Sequence, residues 1–140
     1  MEDFALEIKT RVASANLPLE NVTGAHYCQC QSQLQCANRN FNILMSYVPA
    51  SDGIVEKASY HFIEKDCVWW DVTNLLLSSI FYGKPIDQWV FKEDDKLASI
   101  GETNLNKVPN FDSLESYRSW TKNLANLCKL VSFSNSFNSA

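Results

Sequence analysis

The sequence predicts an α+β fold, in which an antiparallel sheet of about five strands is flanked by three helices in the order α-β-β-β-α-β-β-α. Three observations lead to this prediction. Apolar residues recur at helical spacing near both ends of the chain, strand-like stretches follow one another between residues 26 and 63, and an almost wholly apolar stretch begins near Trp69. Runs of strands beside separate helices are typical of α+β domains.

Length and composition fit one globular domain, which we expect over residues 1–131, with a polar, frayed tail at 132–140. The chain has 140 residues, of which 46% are hydrophobic and 20% are charged. A chain of this size buries about 70% of the surface that its unfolded form exposes, so no metal or disulfide is needed for folding. The net charge of -4 comes without a cluster of Lys and Arg, which argues against a nucleic-acid partner.

The sequence also predicts a cytoplasmic protein with reduced thiols. The N-terminal residues lack the basic and apolar regions of a secretory signal. No apolar run is long enough for a membrane span. The five cysteines are an odd number, which fits a reducing compartment better than a disulfide framework.

The N-terminal segment is predicted to form a helix over residues 2–15. Phe4, Ile8 and Val12 recur at intervals of four residues, which places them on one face of a helix. The segment ends before Pro18, because the residue before a proline avoids the helical conformation.

Three strands are predicted next, each from its own pattern. Residues 26–36 alternate between Gln and mostly Cys or Leu, which indicates a half-buried strand. Residues 41–48 and 54–63 are rich in β-branched and aromatic side chains. Short turn sequences separate the strands, so antiparallel pairing is expected.

The stretch from Cys67 to Leu105 is the densest in apolar residues and organises the second half of the chain. Residues 74–82 predict a helix, which Gly83 would end. Residues 88–93 and 96–103 predict a hairpin, although two short helices fit the same residues.

A closing helix is predicted from Asp112, with Glu115 three residues later as in a capping box. Leu114, Tyr117 and their successors at helical spacing continue the apolar stripe as far as Val131.

One group of residues resembles metal ligands, and it combines three cysteines with two histidines: Cys28, Cys30, Cys36, His26 and His61. Structural zinc sites usually place two to four residues between paired cysteines, whereas Cys28 and Cys30 have one. Packing in the core is therefore the favoured interpretation. A nucleophile pair of Cys28 or Cys67 with His61 has no local signature. We predict no catalytic residue, no metal and no cofactor, and a Cys/His metal-dependent enzyme is the least favoured alternative.

The middle helix predicts a homodimer. Its apolar residues surround it almost completely, and one small sheet covers only one side of such a helix. Tryptophan is also enriched where proteins meet. The expected dimer interface consists of four residues: Trp69, Leu76, Ile80 and Trp89.

These segments together resemble class I type III secretion chaperones and the related YbjN-like domains. MEDFALEIKTRVASANLPL is similar to their opening helix, WWDVTNLLLSSIFYGKP to the middle helix, QWVFKEDDKLASIGETNL to the last hairpin, and FDSLESYRSWTKNLANLCKLV to the closing helix. The resemblance implies a non-enzymatic dimer that holds a segment of a client protein, such as a secreted effector, on apolar surfaces. The expected client-binding residues are Phe4, Ile8, Val12, Leu34 and Phe41.

A second resemblance supports an alternative function. The segment DVTNLLLSSIFYGKPIDQWV resembles the core of KilA-N-like nucleic-acid-binding domains. Lys84 and Lys92 are the only basic residues in and next to it, which is a weak basis for binding phosphates.

Overall fold

The computed structural model describes residues 3–11, 17–53, 55–84 and 113–134. Within these ranges the chain forms β1 (Ala5–Thr10), α1 (Gly24–Ala37), β2 (Phe41–Val48), β3 (Lys57–Glu64), α2 (Cys67–Phe81), α3 (Leu114–Asn126) and β4 (Lys129–Ser134). The predicted α+β class is confirmed. The described residues form three helices and four strands, and their order begins β-α-β-β-α rather than with the predicted α-β-β-β-α. The sheet has the order β1-β2-β3-β4. β1 runs parallel to β2 while the other pairs are antiparallel, so the prediction of a wholly antiparallel sheet is wrong.

The chain divides into two compact units. The first contains residues 1–65 and 122–140, and the second contains residues 66–121. The sheet and α1 belong to the first unit, whereas α2 and most of α3 belong to the second. The single domain expected over 1–131 stays a prediction.

The predicted N-terminal helix over 2–15 is wrong, because Ala5–Thr10 form β1. The interval of four residues between Phe4 and Ile8 fits a strand as well as a helix, because residues an even number of positions apart lie on the same face of a strand. Leu6 lies between them on the same side, and its exposure matches theirs. Glu7 and Lys9 lie on the other side, so the segment alternates with the period of a strand.

The predicted strand over 26–36 is also wrong, because these residues belong to α1. The Thr23 side chain accepts a hydrogen bond from the His26 N–H at 3.1 Å and caps the helix. At the other end Asn38 has a φ of 51°, in the left-handed region that commonly ends a helix. Cys30 and Leu34 lie four residues apart and are fully buried, so the alternation concealed a helical spacing.

The strand predicted over 41–48 is confirmed as β2, and the next strand begins at Lys57 rather than at residue 54. α1 covers one face of these strands, which we call the inner face. Leu44 and Ile63 are fully buried there, as are Cys30 and Leu34 of α1. This is where the apolar core of the first unit lies.

Polar residues of the inner face hold the segment before α1. Ser46 accepts a hydrogen bond from the Leu19 N–H at 3.0 Å, and Ser59 donates to the Leu19 carbonyl at 2.6 Å. His61 Nε2 lies 2.9 Å from the Glu20 carbonyl oxygen. Because a carbonyl oxygen only accepts, Nε2 carries the proton.

The second unit is built on α2, which begins at Cys67, earlier than the predicted start at residue 74. Asp66 caps it by accepting a hydrogen bond from the Trp69 N–H at 2.9 Å. Trp69 donates through Nε1 to Thr121 at 3.3 Å. The hydroxyls of Thr73 and Tyr117 share a buried hydrogen bond of 2.6 Å. These bonds connect α2 to α3.

The closing helix is confirmed as α3, but it ends at Asn126, before the predicted stripe ends at Val131. β4 then begins at Lys129 and includes residues 132–134, which the sequence assigns to a frayed tail. The predicted hairpin over 88–103 lies outside the described residues.

Candidate protein-binding surface

The face of the sheet opposite α1 is apolar along β1 and β2. Three apolar side chains are exposed there: Phe4, directly before β1, and Leu6 and Ile8 of β1, with exposed fractions of 51%, 53% and 52%. Ile43 and Met45 of β2 lie beside Leu6 and Ile8 in the register of the sheet. We call this surface the apolar face, and its members are Phe4, Leu6, Ile8, Phe41, Ile43, Met45, Tyr60 and Phe62.

Aromatic rings make one end of the apolar face a continuous platform. Phe4 stacks on Phe41 with ring centroids 5.5 Å apart and an angle of 13° between the planes. Phe41 in turn contacts Phe62, with centroids 5.0 Å apart. Such stacked pairs contribute about 0.5–1.5 kcal/mol beyond their buried area. The stack therefore adds ring contacts between the residue before β1 and the strands β2 and β3.

The members of the apolar face carry no charge. Two charged residues border it in the register of the sheet: Glu64 of β3 lies opposite Phe41, and Lys129 of β4 lies opposite Phe62. An apolar surface of this kind attracts apolar partners by the area that it removes from water.

A polar network on the inner face fixes β1 to α1. The Glu7 carboxylate accepts hydrogen bonds from Gln33 at 2.6 Å and Gln29 at 3.0 Å, and it forms an ion pair of 2.9 Å with Lys9. Gln33 also accepts a hydrogen bond from Asn42 on β2 at 2.9 Å. The hydrogen bond from Gln33 and the neighbouring Lys9 lower the pKa of Glu7 from its ordinary value. The network thus holds an ionised carboxylate under β1.

Three of the five predicted client-binding residues lie together on the apolar face. These are Phe4, Ile8 and Phe41. Leu34 is fully buried on α1, on the other side of the sheet, and Val12 lies outside the described residues. Sequence reasoning missed Leu6, although its alternation with Ala5 and Glu7 was the available signal.

The residues of the predicted dimer interface differ from one another in their burial. Trp69 and Leu76 are buried within the fold, with exposed fractions of 1% and 3%, whereas Ile80 is 43% exposed. Trp89 lies outside the described residues. Phe81 and Tyr82 at the end of α2 are more exposed than Ile80, at 84% and 76%.

Burial argues against a nucleophilic role for Cys28 and Cys30 of the cysteine and histidine group. Burial raises the pKa of the Cys30 thiol to about 12, and burial also raises the pKa of Cys28. A thiol with a raised pKa is a poor nucleophile because it stays protonated. Desolvation lowers the pKa of His26, and His61 is bound to the Glu20 carbonyl.

Metal-binding clusters and membrane-spanning helices are both absent from residues 3–11, 17–53, 55–84 and 113–134. No group of three or more His, Cys, Asp and Glu side chains there is arranged to hold a metal ion. Among the helices of those ranges, none combines the length and apolar character needed to cross a bilayer. Comparison with protein-family models, curated proteins and solved structures finds no match for this chain.

Proposed function

We propose that the protein is a non-enzymatic, cytoplasmic protein-binding module that acts as a homodimer and holds a segment of a client protein on the apolar face. The proposal extends the sequence resemblance to class I type III secretion chaperones. Its structural support is a single observation, the row of half-exposed side chains Phe4, Leu6 and Ile8 on an edge strand.

The physical basis is the apolar area that a client would cover. Burying the exposed half of each β1 side chain contributes about 1–2 kcal/mol at about 25 cal/mol per Å². The aromatic platform of Phe41 and Phe62 adds a rigid surface that loses little entropy on binding. We therefore expect a client segment whose contacts are apolar rather than charged.

The test measures how strongly the protein binds to an array of short peptides taken from the sequences of unrelated proteins. Below, retention means the binding of a peptide of this array by the protein. Wild-type protein should retain segments rich in aromatic and aliphatic residues. A variant with Leu6→Ser and Ile8→Ser should lose this retention, because serine removes apolar area from the centre of the face. Circular dichroism establishes that the variant is folded.

Leu77→Ser is the matched control. Leu77 has a similar exposed fraction, 49%, but lies on α2 in the second unit, so its replacement should leave retention unchanged. The proposal is wrong if the wild-type protein retains no peptide, or if the double variant retains peptides as well as the wild type does.

A further inference from the structure

β1 is an edge strand whose outer backbone groups have no partner in the described part of the chain. The Arg11 N–H donates to the Tyr47 carbonyl of β2 at 2.7 Å. In a parallel ladder alternate residues point to the same neighbour, so Glu7 and Lys9, like Arg11, direct their backbone groups to β2. The N–H and C=O groups of Leu6, Ile8 and Thr10 consequently point away from the sheet. Such a row is a template for another strand.

We propose that a second copy of this chain pairs with β1 along this edge, antiparallel and related by a two-fold axis at Ile8. The inference rests on the homodimer of the proposed function, for which it assigns the contact. It places the contact on β1 rather than on α2, where Trp69 and Leu76 are buried within the fold.

Backbone geometry allows few registers for this pairing. Outward-pointing residues must lie opposite outward-pointing residues, because only these have free N–H and C=O groups. A two-fold axis must then pass through a residue rather than between two residues. β1 covers Ala5–Thr10, and only axes at Glu7 and at Ile8 keep most of this strand paired.

Charge distinguishes the two registers. An axis at Glu7 would place the Glu7 carboxylates of the two copies opposite each other, which is destabilising. An axis at Ile8 places Glu7 opposite Lys9 of the second copy, twice, and Ile8 opposite its own counterpart. The sequence of β1 is therefore charge-complementary to itself in one register only.

The same register joins the apolar faces of the two copies. Residues opposite each other on adjacent strands share a face, so Leu6 and Ile8 of both copies continue one surface across the axis. A single strand pair buries less than the roughly 1,600 Å² of a standard interface. We therefore expect a dimer that dissociates at micromolar concentrations.

Thr10→Pro tests the strand pairing. Proline removes the outward N–H of Thr10 and leaves the hydrogen bonds to β2 intact, as edge strands tolerate. Thr10→Ala is the matched control, because it changes the side chain and keeps the N–H. In sedimentation equilibrium over a dilution series, Thr10→Pro should raise the dimer dissociation constant by roughly tenfold or more, whereas Thr10→Ala should change it little. Circular dichroism checks that both variants fold.

A charge exchange tests the register independently. Glu7→Lys and Lys9→Glu should each weaken the homodimer, because each places like charges opposite each other. An equimolar mixture of the two variants should form a heterodimer, in which every Lys of one chain faces a Glu of the other. Native mass spectrometry distinguishes the heterodimer from the homodimers. If the mixture dimerises no better than either variant alone, the register about Ile8 is wrong.

The outcomes separate this inference from the client proposal, since Glu7, Lys9 and Thr10 are not members of the apolar face. A wild-type dimer that Thr10→Pro and Thr10→Ala affect equally overturns the β1 contact and leaves a dimer formed elsewhere. A wild-type protein that is monomeric at all concentrations overturns the inference and the homodimer together. Retention of peptides by the wild-type protein tests the client proposal, whether or not the protein dimerises through β1.

Discussion

Replacing Ser46 and Ser59 by alanine should release the segment around Leu19 from the inner face. The two serines lie opposite each other on β2 and β3 and are fully buried. One accepts a hydrogen bond from the Leu19 N–H at 3.0 Å, and the other donates to the Leu19 carbonyl at 2.6 Å. Alanine at both positions leaves both backbone groups of Leu19 without these partners.

The magnitude follows from the cost of an unpaired buried group. Losing one such partner costs about 1–3 kcal/mol. We expect each single variant to lower the free energy of unfolding by about 1–2 kcal/mol and the double variant by about 2–4 kcal/mol. For a chain of this size the double variant should unfold at a temperature lower by about 10 °C.

Urea unfolding measures the loss, and amide hydrogen exchange locates it. The Leu19 amide should exchange faster in Ser46→Ala, because Ser46 is the acceptor of that N–H. Ser119→Ala, an exposed serine on α3, is the control and should change stability by less than about 0.5 kcal/mol. Unchanged protection of the Leu19 amide in Ser46→Ala would refute the reasoning.

Two further predictions concern titratable groups. The pKa of Glu7 is lowered from 4.5, so ionised Glu7 stabilises the fold above about pH 4.5, and this contribution is lost as the pH falls through the folded-state pKa. In Glu7→Gln the free energy of unfolding, measured with urea, should therefore fall less steeply as the pH is lowered. An unchanged pH dependence in this variant would contradict the prediction. Exposed Cys36 and Cys67 should react with iodoacetamide in the folded protein. Cys30 should react only after unfolding, because it is fully buried and its pKa is raised to about 12. Mass spectrometry of the labelled peptides checks this order, and equal reaction rates for Cys30 and Cys36 would contradict it.

Sequence reasoning identified the helices and strands whose patterns fit only one period. β2 and α3 are of this kind, because their apolar residues recur at strand or helix spacing over many positions. The pattern of β1 also predicts a helix, because the spacing of Phe4 and Ile8 fits both periods and only Leu6 distinguishes them. The pattern of α1 also predicts a strand, because its Gln and Cys residues alternate, although Gln favours helices.

The sequence predicts some residues of the apolar face but not the strand pairing that brings them together. The resemblance to secretion chaperones implies Phe4, Ile8 and Phe41 as client-binding residues of two separate elements, and the parallel pairing of β1 with β2 brings them together. The sequence contains no local signal for that pairing, since parallel strands meet through a distant connection. The same resemblance implies Leu34, but this residue lies on α1 and is buried in the core.

Each face of the sheet carries residues whose polarity is unexpected for their position. Contacts within the described chain explain the polar residues of the inner face, but not the exposed residues of the apolar face. Buried Asn42, Ser46, Ser59 and His61 lie on the inner face, where an apolar residue would be usual. Hydrogen bonds to Gln33, Leu19 and Glu20 pair Asn42 Nδ2, the two serine hydroxyls and His61 Nε2, as buried polar groups require. Asn42 Oδ1 and His61 Nδ1 are buried without a partner in the described part of the chain.

The apolar face presents the opposite case, with Phe4, Leu6 and Ile8 half exposed on an edge strand. Exposed apolar side chains on an edge strand favour aggregation, which many proteins avoid by placing charges there. β1 places its charges, Glu7 and Lys9, on the inner face, where they hold α1 rather than protect the edge. This placement is disadvantageous for an isolated monomer, but it suits a chain whose edge pairs with a second copy and whose apolar face receives a client.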